Sequence, residues 1–227
     1  MMMHSTYFSL KPSSSPATRA KYIAACHEYL SSSPGIMSFW VGERAKDMKR
    51  PVNDKDFNVA MNQVFQNKAA FDHYNGSDPM HAKFVEVVNK LAPATTRRVY
   101  DSFLNRLSYI DGQPSVARKT STATRLPQLM HSIYFTLTTN TKDSRAKFTD
   151  ICLKYLADHP GVRVFALGEL ADMKRDVSVA NYDIAMNILW TDETFYQKYL
   201  KSKSHDDFFP ATTGLIKETQ VFDSFLS

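Results

Sequence analysis

Two matched trios carry the chemistry that this 227-residue chain offers most plainly: His4, Tyr74 and His81, and their counterparts His131, Tyr199 and His205. A histidine titrates near neutral pH, so it can take a proton from a carbon beside a carbonyl. A tyrosine hydroxyl can hold the resulting enolate by hydrogen bonding. The same residues also suit a structural role, His4 and His131 as satisfied buried histidines and His81 and His205 as helix-start residues. Phe8, Trp40, Phe135 and Trp190 are expected in the core or in the wall of a pocket around the trios. Asp47, Lys49 and Arg50, repeated as Asp172, Lys174 and Arg175, read either as a solvated loop face or as a salt-linked loop where two halves meet. Asp101 and Asp223 are expected to cap or pair structurally at the end of a strand.

Other chemistries are poorly supplied. The seven histidines show no His-x-x-x-His spacing and the two cysteines stand far apart, so neither a metal site nor a cofactor is expected. Only seven glycines are present, which argues against Gly-rich phosphate loops. Cys26 and Cys152 fall at equivalent places on two amphipathic helices and read as free buried thiols.

The elements that must position these residues occur twice. Met3-His4-Ser5-Thr6-Tyr7-Phe8 returns as Met130-His131-Ser132-Ile133-Tyr134-Phe135, Gly42-Glu43 as Gly168-Glu169, Asp47-Met48-Lys49-Arg50 as Asp172-Met173-Lys174-Arg175, Ala60-Met61-Asn62 as Ala185-Met186-Asn187, and Asp101-Ser102-Phe103-Leu104 as Asp223-Ser224-Phe225-Leu226. Residues 1–104 and 130–227 are therefore two copies of one domain. Residues 105–129, rich in Ser, Thr and basic residues, read as an irregular linker.

Within the first copy His4, Thr6, Phe8 and Leu10 alternate with Ser5, Tyr7 and Ser9, a strand with one apolar face. A helix is expected from about Ala17 to Leu30 with Pro34-Gly35 as its stop, then strands at Ile36–Val41 and Phe57–Phe65. A short helix over Asn67–Tyr74, a longer one opened by Pro79, and a strand over Arg97–Phe103 complete the unit. The order is α+β and ferredoxin-like. Helices on one face of such a sheet leave the other bare, and the second copy supplies a cover: two sheets packed together as an internal pseudo-dimer.

Charge narrows the partners. Lys and Arg outnumber Asp and Glu 13 to 9 in residues 1–104 and 4 to 1 in 105–129, whereas acids lead 13 to 11 in 130–227. An excess this mild and scattered does not make a nucleic-acid face. No apolar run approaches the roughly 20 residues of a membrane span, and the opening residues lack a charged segment leading into an apolar one. The expectation is a cytoplasmic protein with neither a membrane nor a nucleic-acid partner.

In its opening Met-His-x-x-x-Phe-x-Leu strand, its Tyr/Phe-x-x-Ala strand, its Phe-x-x-Tyr…His segment and its closing Asp-x-Phe, each copy resembles the stress-responsive A/B barrel, or Dabb, family. The resemblance implies ferredoxin-like domains paired into a dimeric α/β barrel, some stress-associated without an assigned reaction. A plant polyketide cyclase of the family closes a ring by an aldol reaction. By that likeness Tyr199 and His205, or Tyr74 and His81, would be the catalytic pair, with His131 or His4 lining the pocket. The cyclase has a further histidine on its third strand, where this chain has Val59 and Ile184.

Two function classes follow: a small-molecule-binding, stress-associated barrel, or a cofactor-free cyclase or lyase acting on a carbonyl compound. A purely structural module is the third. Because pairing is met within one chain, a monomer is expected in solution. The second copy is expected to hold the more cyclase-like pocket, since Tyr199 and His205 keep a six-residue separation. The extra residue between Tyr74 and His81 should shift that pair by up to about one residue rise.

Overall fold

The computed structural model describes residues 1–12, 14–109 and 126–227. The first copy runs β1 (Met2–Ser9), α1 (Pro16–Leu30), β2 (Ile36–Arg44), β3 (Val59–Phe65), α2 (Lys68–Gly76), α3 (Pro79–Leu91) and β4 (Thr96–Tyr109). The second runs β5 (Leu129–Leu137), α4 (Lys142–Leu156), β6 (Val162–Leu170), β7 (Ile184–Trp190), α5 (Glu193–Leu200), α6 (Lys203–Ala211) and β8 (Ile216–Leu226).

Each half forms an antiparallel sheet, in the orders β4-β1-β3-β2 and β8-β5-β7-β6. The sheets do more than face one another. Their edges hydrogen-bond, β2 to β8 and β4 to β6, and close a single eight-stranded barrel. Closure leaves no unpaired sheet edge among the described strands.

Side-chain alternation sorts the strands between two environments. Met2 and Phe8 of β1 face outward onto Tyr22, Ile23 and Cys26 of α1 and Phe84 and Val88 of α3. Met3, Ser5 and Tyr7 face inward. The Tyr7 ring stacks on Phe222 of β8 at 3.7 Å, and its hydroxyl lies 3.0 Å from that of Tyr134 on β5. Every residue of β1 is buried, because the barrel wall covers the face that looks polar in the sequence.

Gly42 and Gly168 lie at the two seams. Gly42 pairs with Leu226 and Gly168 with Leu104. A Cβ on Gly42 would collide with the Phe225 carbonyl and fall 2.8 Å from the Leu226 Cα, and one on Gly168 would meet the Phe103 carbonyl. The adjacent glutamates tie the seam strands to the first helix of each half, Arg19 to Glu43 and Arg145 to Glu169. The repeated Gly-Glu thus combines a close backbone approach with an anchor.

Several expected boundaries move, β2 running on to Arg44 rather than ending at Val41. The third strand begins at Val59, not Phe57, whose ring turns into the aromatic cluster of the barrel interior. β4 continues to Tyr109, so residues 105–109 are strand rather than irregular linker. Arg106, Leu107, Ser108 and Tyr109 find partners on β6 after a register shift, and that pairing belongs to the other copy, out of reach of a single-segment reading. Of the rest of the expected linker, residues 110–125 lie outside the described residues, and its last residue, Leu129, already opens β5. Among the described residues no helix is long and apolar enough to cross a membrane.

The seams give a stability test. Gly42→Val and Gly168→Val should each destabilise the chain by about 1–3 kcal/mol, because an added side chain must push two backbones apart. Gly76→Ala, with open space around it, should stay within about 0.5 kcal/mol of the parent in urea unfolding. Equal effects at all three glycines would contradict the close approach.

Candidate functional site

The trios assemble between the outer face of the sheet and the helices. His4 comes from β1. Tyr74 lies one turn after Phe71 on the buried face of α2, and His81 is the third residue of α3, whose start is fixed by the Asp78 cap and Pro79. The His4 and Tyr74 rings are 5.8 Å apart and Tyr74 and His81 4.6 Å. In the second copy Tyr199 and His205 are 4.7 Å apart, and His131 packs on Tyr196 at 5.0 Å. The amide of His205 donates to the Ser202 cap of α6 at 3.2 Å.

The expected displacement of Tyr74 against His81 is not observed: 4.6 and 4.7 Å are equivalent. α2 runs one residue further than α5 and absorbs the insertion before the Asp78 cap. The copies differ instead in ring tilt, 42° against 70°.

A partner that sequence reading assigned only to structure completes each strand-one histidine. Nδ1 of His4 lies 2.6 Å from Oδ1 of Asp101 on β4, and Nδ1 of His131 lies 2.5 Å from Oδ1 of Asp223 on β8. An ionised carboxylate only accepts, so Nδ1 carries the proton in both pairs. In the neutral imidazole Nε2 is then the acceptor, the form suited to a general base.

The second oxygen of each aspartate is held from the other copy. Asn53 donates to Asp223 at 2.6 Å, with Arg50 at 3.4 Å, while Arg175 binds Asp101. Backbone bonds seat both loops. The amide of Asp54 donates to the Val221 carbonyl at 2.8 Å, and that of Val179 to the Val99 carbonyl at 2.8 Å. The Arg50 guanidinium lies over the Tyr196 ring and that of Arg175 over Phe71, 5.7 and 5.3 Å from the ring centres. Burial alone would raise the Asp223 carboxyl; His131, Arg50 and Asn53 outweigh it and hold the group below the usual carboxylate range.

The repeated Asp-Met-Lys-Arg is therefore a cross-copy loop at its arginine, whereas the Lys174–Asp172 pair is local and exposed. Sequence reading missed Asp101, Asp223, Arg50 and Arg175 as site residues. Their double occurrence with opposite charges was the available signal; the strand register that joins them was not.

The copies diverge around this frame. Thr6 places its hydroxyl 3.2 Å from Nε2 of His4, and its counterpart at His131 is Ile133. Phe65 and Phe71 are matched by Trp190 and Tyr196. Nε1 of Trp190, the Tyr196 hydroxyl and Nδ1 of His205 are buried with no hydrogen-bond partner among the described residues. All three belong to rings within 6.3 Å of the Tyr199 ring. Burial raises the tyrosine hydroxyls, so Tyr74, Tyr196 and Tyr199 stay protonated.

Phe8 and Phe135 pack against helix residues on the same side of the sheet as the trios. Trp190 lies directly on Tyr199, at 4.8 Å. Trp40 does not join them. It faces the barrel interior with Met3, Val64 and Leu189, because its place on β2 has inward parity. Two surface depressions, one beside Lys147 and Tyr155 and one beside Leu126 and Phe225, are lined by none of the trio residues. Among the described residues no three His, Cys, Asp or Glu side chains are grouped to hold a metal ion.

Burial, reinforced by His4 or His131 and nearby arginines, pushes the imidazoles of His81 and His205 down to about 4. Both are neutral at physiological pH. A depressed histidine value means that the unfolded chain takes the proton first as pH falls. Their contribution to stability is complete above the ordinary value of 6.5 and is lost as pH drops toward about 4. In urea unfolding followed against pH, the parent should lose more stability across that window than a His81→Gln, His205→Gln variant. Parallel profiles would contradict the burial of these imidazoles.

Residues 2–104 match the model of the Stress responsive A/B Barrel Domain. Over its whole length the chain is similar to the crystal structure of a "putative monooxygenase" from Lactobacillus acidophilus NCFM. Identity is 18%, coverage 99% of this chain and 93% of that one, and the TM-score 0.66. It is also similar to an anthrone oxidase-like protein, with 12% identity, coverage of 100% and 91%, and a TM-score of 0.60. At such identities the likeness is one of fold. No curated protein sequence matches the chain. Residues 2–104 thus carry a stress responsive A/B barrel domain, and the second half repeats the same ferredoxin-like fold and closes the barrel within one polypeptide.

Proposed function

We propose that the chain is a stress-associated barrel protein that binds a small molecule among the His and Tyr side chains of its second copy, as a monomer. The observation that carries this reading is that Trp190 Nε1, the Tyr196 hydroxyl and His205 Nδ1, on three rings packed around Tyr199, are buried without a hydrogen-bond partner among the described residues. A buried polar group left unpaired costs about 1–3 kcal/mol. The first copy avoids that cost at two of the three positions with Phe65 and Phe71. A ligand that accepts from the indole and the phenol and donates to the imidazole would repay it in the second. His205, half-buried at the start of α6, is the most exposed member of the cluster.

A second reading rests on the His131–Asp223 pair. A histidine whose Nδ1 proton is fixed by a carboxylate presents Nε2 as a base, and Ile133 leaves that nitrogen without the hydroxyl that Thr6 gives His4. A cofactor-free cyclase or lyase would use His131 or His205 to move a proton beside a carbonyl, with Tyr199 or Tyr196 donating to the enolate oxygen.

Native mass spectrometry of the purified chain should detect a carried small molecule. His205→Ala should reduce its occupancy about tenfold, the worth of one hydrogen bond to a buried group, and His81→Ala less. A larger loss at His81 would place the ligand in the first copy, and no loss at either would leave these residues a structural role. Turnover of the recovered molecule, abolished by His131→Ala, would favour the enzyme over the binding protein.

A further inference from the structure

The barrel interior, on the opposite side of the sheet from both trios, is banded. At one end Tyr7, Phe57, Tyr100, Tyr134, Tyr182 and Phe222 form a continuous aromatic plug. At the other, Met3, Trp40, Val64, Met130, Val164 and Leu189 form an apolar one. Between them lies a polar girdle. Ser5 falls between Met3 and Tyr7 on β1, and Ser132 between Met130 and Tyr134 on β5. Asn62 pairs with Ser5 across β3, and Asn187 with Ser132 across β7. These residues are related by the internal repeat, and all four are fully buried.

Both hydroxyls, and both the nitrogen and the oxygen of each amide, have no hydrogen-bond partner among the described residues. The Tyr7 and Tyr134 hydroxyls bond each other at 3.0 Å. Ser132 and Ser5 stand near enough to them to favour their ionised forms slightly, yet outside hydrogen-bond geometry. Six unpaired polar atoms in one enclosed band are far more than a folded interior tolerates, since buried polar groups are paired in nearly every case. The chain nevertheless carries the Asn and the Ser in both copies, where aliphatic residues would fill the barrel as the neighbouring rows do.

We infer that the girdle is a binding site for small neutral hydrogen-bonding guests, and that its occupant is a cluster of internal water on the pseudo-two-fold axis. The chemistry selects this class. Amides and hydroxyls supply donors and acceptors in balance, which suits molecules that both donate and accept. None of the four side chains is charged, so an ion would lose its hydration without a counter-charge. An apolar guest would leave the amides unsatisfied. Each buried water makes about three hydrogen bonds, so about two or three waters satisfy the band. They would link the two halves at the barrel centre, beside the Tyr7–Tyr134 hydroxyl pair.

The test uses the full chain in two measurements. A high-resolution crystal structure should contain water density bridging Asn62 and Asn187 at hydrogen-bond distances. Oxygen-17 relaxation dispersion should count at least about two fewer long-lived waters in an Asn62→Val, Asn187→Val variant than in the parent. That variant should be no more stable than the parent in urea. Three results would overturn the inference: amides bonded directly to each other with no water between them, density for a larger molecule, or a valine variant markedly more stable than the parent, the mark of a dry girdle. Should the variant fail to fold, the parent's density decides the matter alone.

Discussion

A four-stranded sheet has two edges, and each edge strand presents a row of unpaired backbone groups. In this chain those rows are paired only with each other, β2 to β8 and β4 to β6. Ring closure is the constraint from which the rest follows. It requires glycine where two backbones meet at Gly42 and Gly168. It buries both faces of β1, β3 and β7, and the middle of β4 and β8. It also carries the loop after β2 over the end of β8, and the loop after β6 over the end of β4, which places Arg50 beside Asp223 and Arg175 beside Asp101.

Each histidine–aspartate pair is thus a product of assembly. A buried carboxylate is costly unless its oxygens are filled, and desolvation can exceed the attraction of a single partner. Asp223 is filled by His131 on one oxygen and by Asn53 and Arg50 on the other. Half of that satisfaction comes from residues more than 160 positions away in the chain. The copies have kept this frame and changed what surrounds it. The first lines its histidine with phenylalanines and a threonine hydroxyl. The second replaces them with a tryptophan, a tyrosine and an isoleucine; it leaves three buried polar atoms without partners among the described residues, whereas the first leaves Gln63 Oε1.

Much of the fold was legible because it depends on local pattern. The repeat gave the two halves, the period-2 alternation at Met3–Leu10 gave a strand, and the Pro79 and Pro34-Gly35 signals placed the helices. The trios were legible as residue types near element ends, and the fold brings His4, Tyr74 and His81 into ring contact and Tyr199 onto His205, while His131 packs on Tyr196 instead. What was not legible depends on register between distant strands. Nothing local shows that His4 stands opposite Asp101, that Trp40 faces inward while Trp190 faces outward, or that residues 105–109 pair with β6. The insertion between Tyr74 and His81 misled for a related reason. Sequence separation is not spatial separation: a helix one residue longer restores the contact.

The claim that each site is built by both copies has a direct test in nitrogen-15 NMR of the histidine imidazoles in the full chain. Nδ1 of His4 and of His131 should be protonated and hydrogen-bonded. Arg50→Gln should shift the His131 resonances and leave those of His4 in place, and Arg175→Gln should do the reverse. If each substitution instead perturbed the histidine of its own copy, or if Nδ1 carried no proton, the cross-copy account of these sites would be wrong.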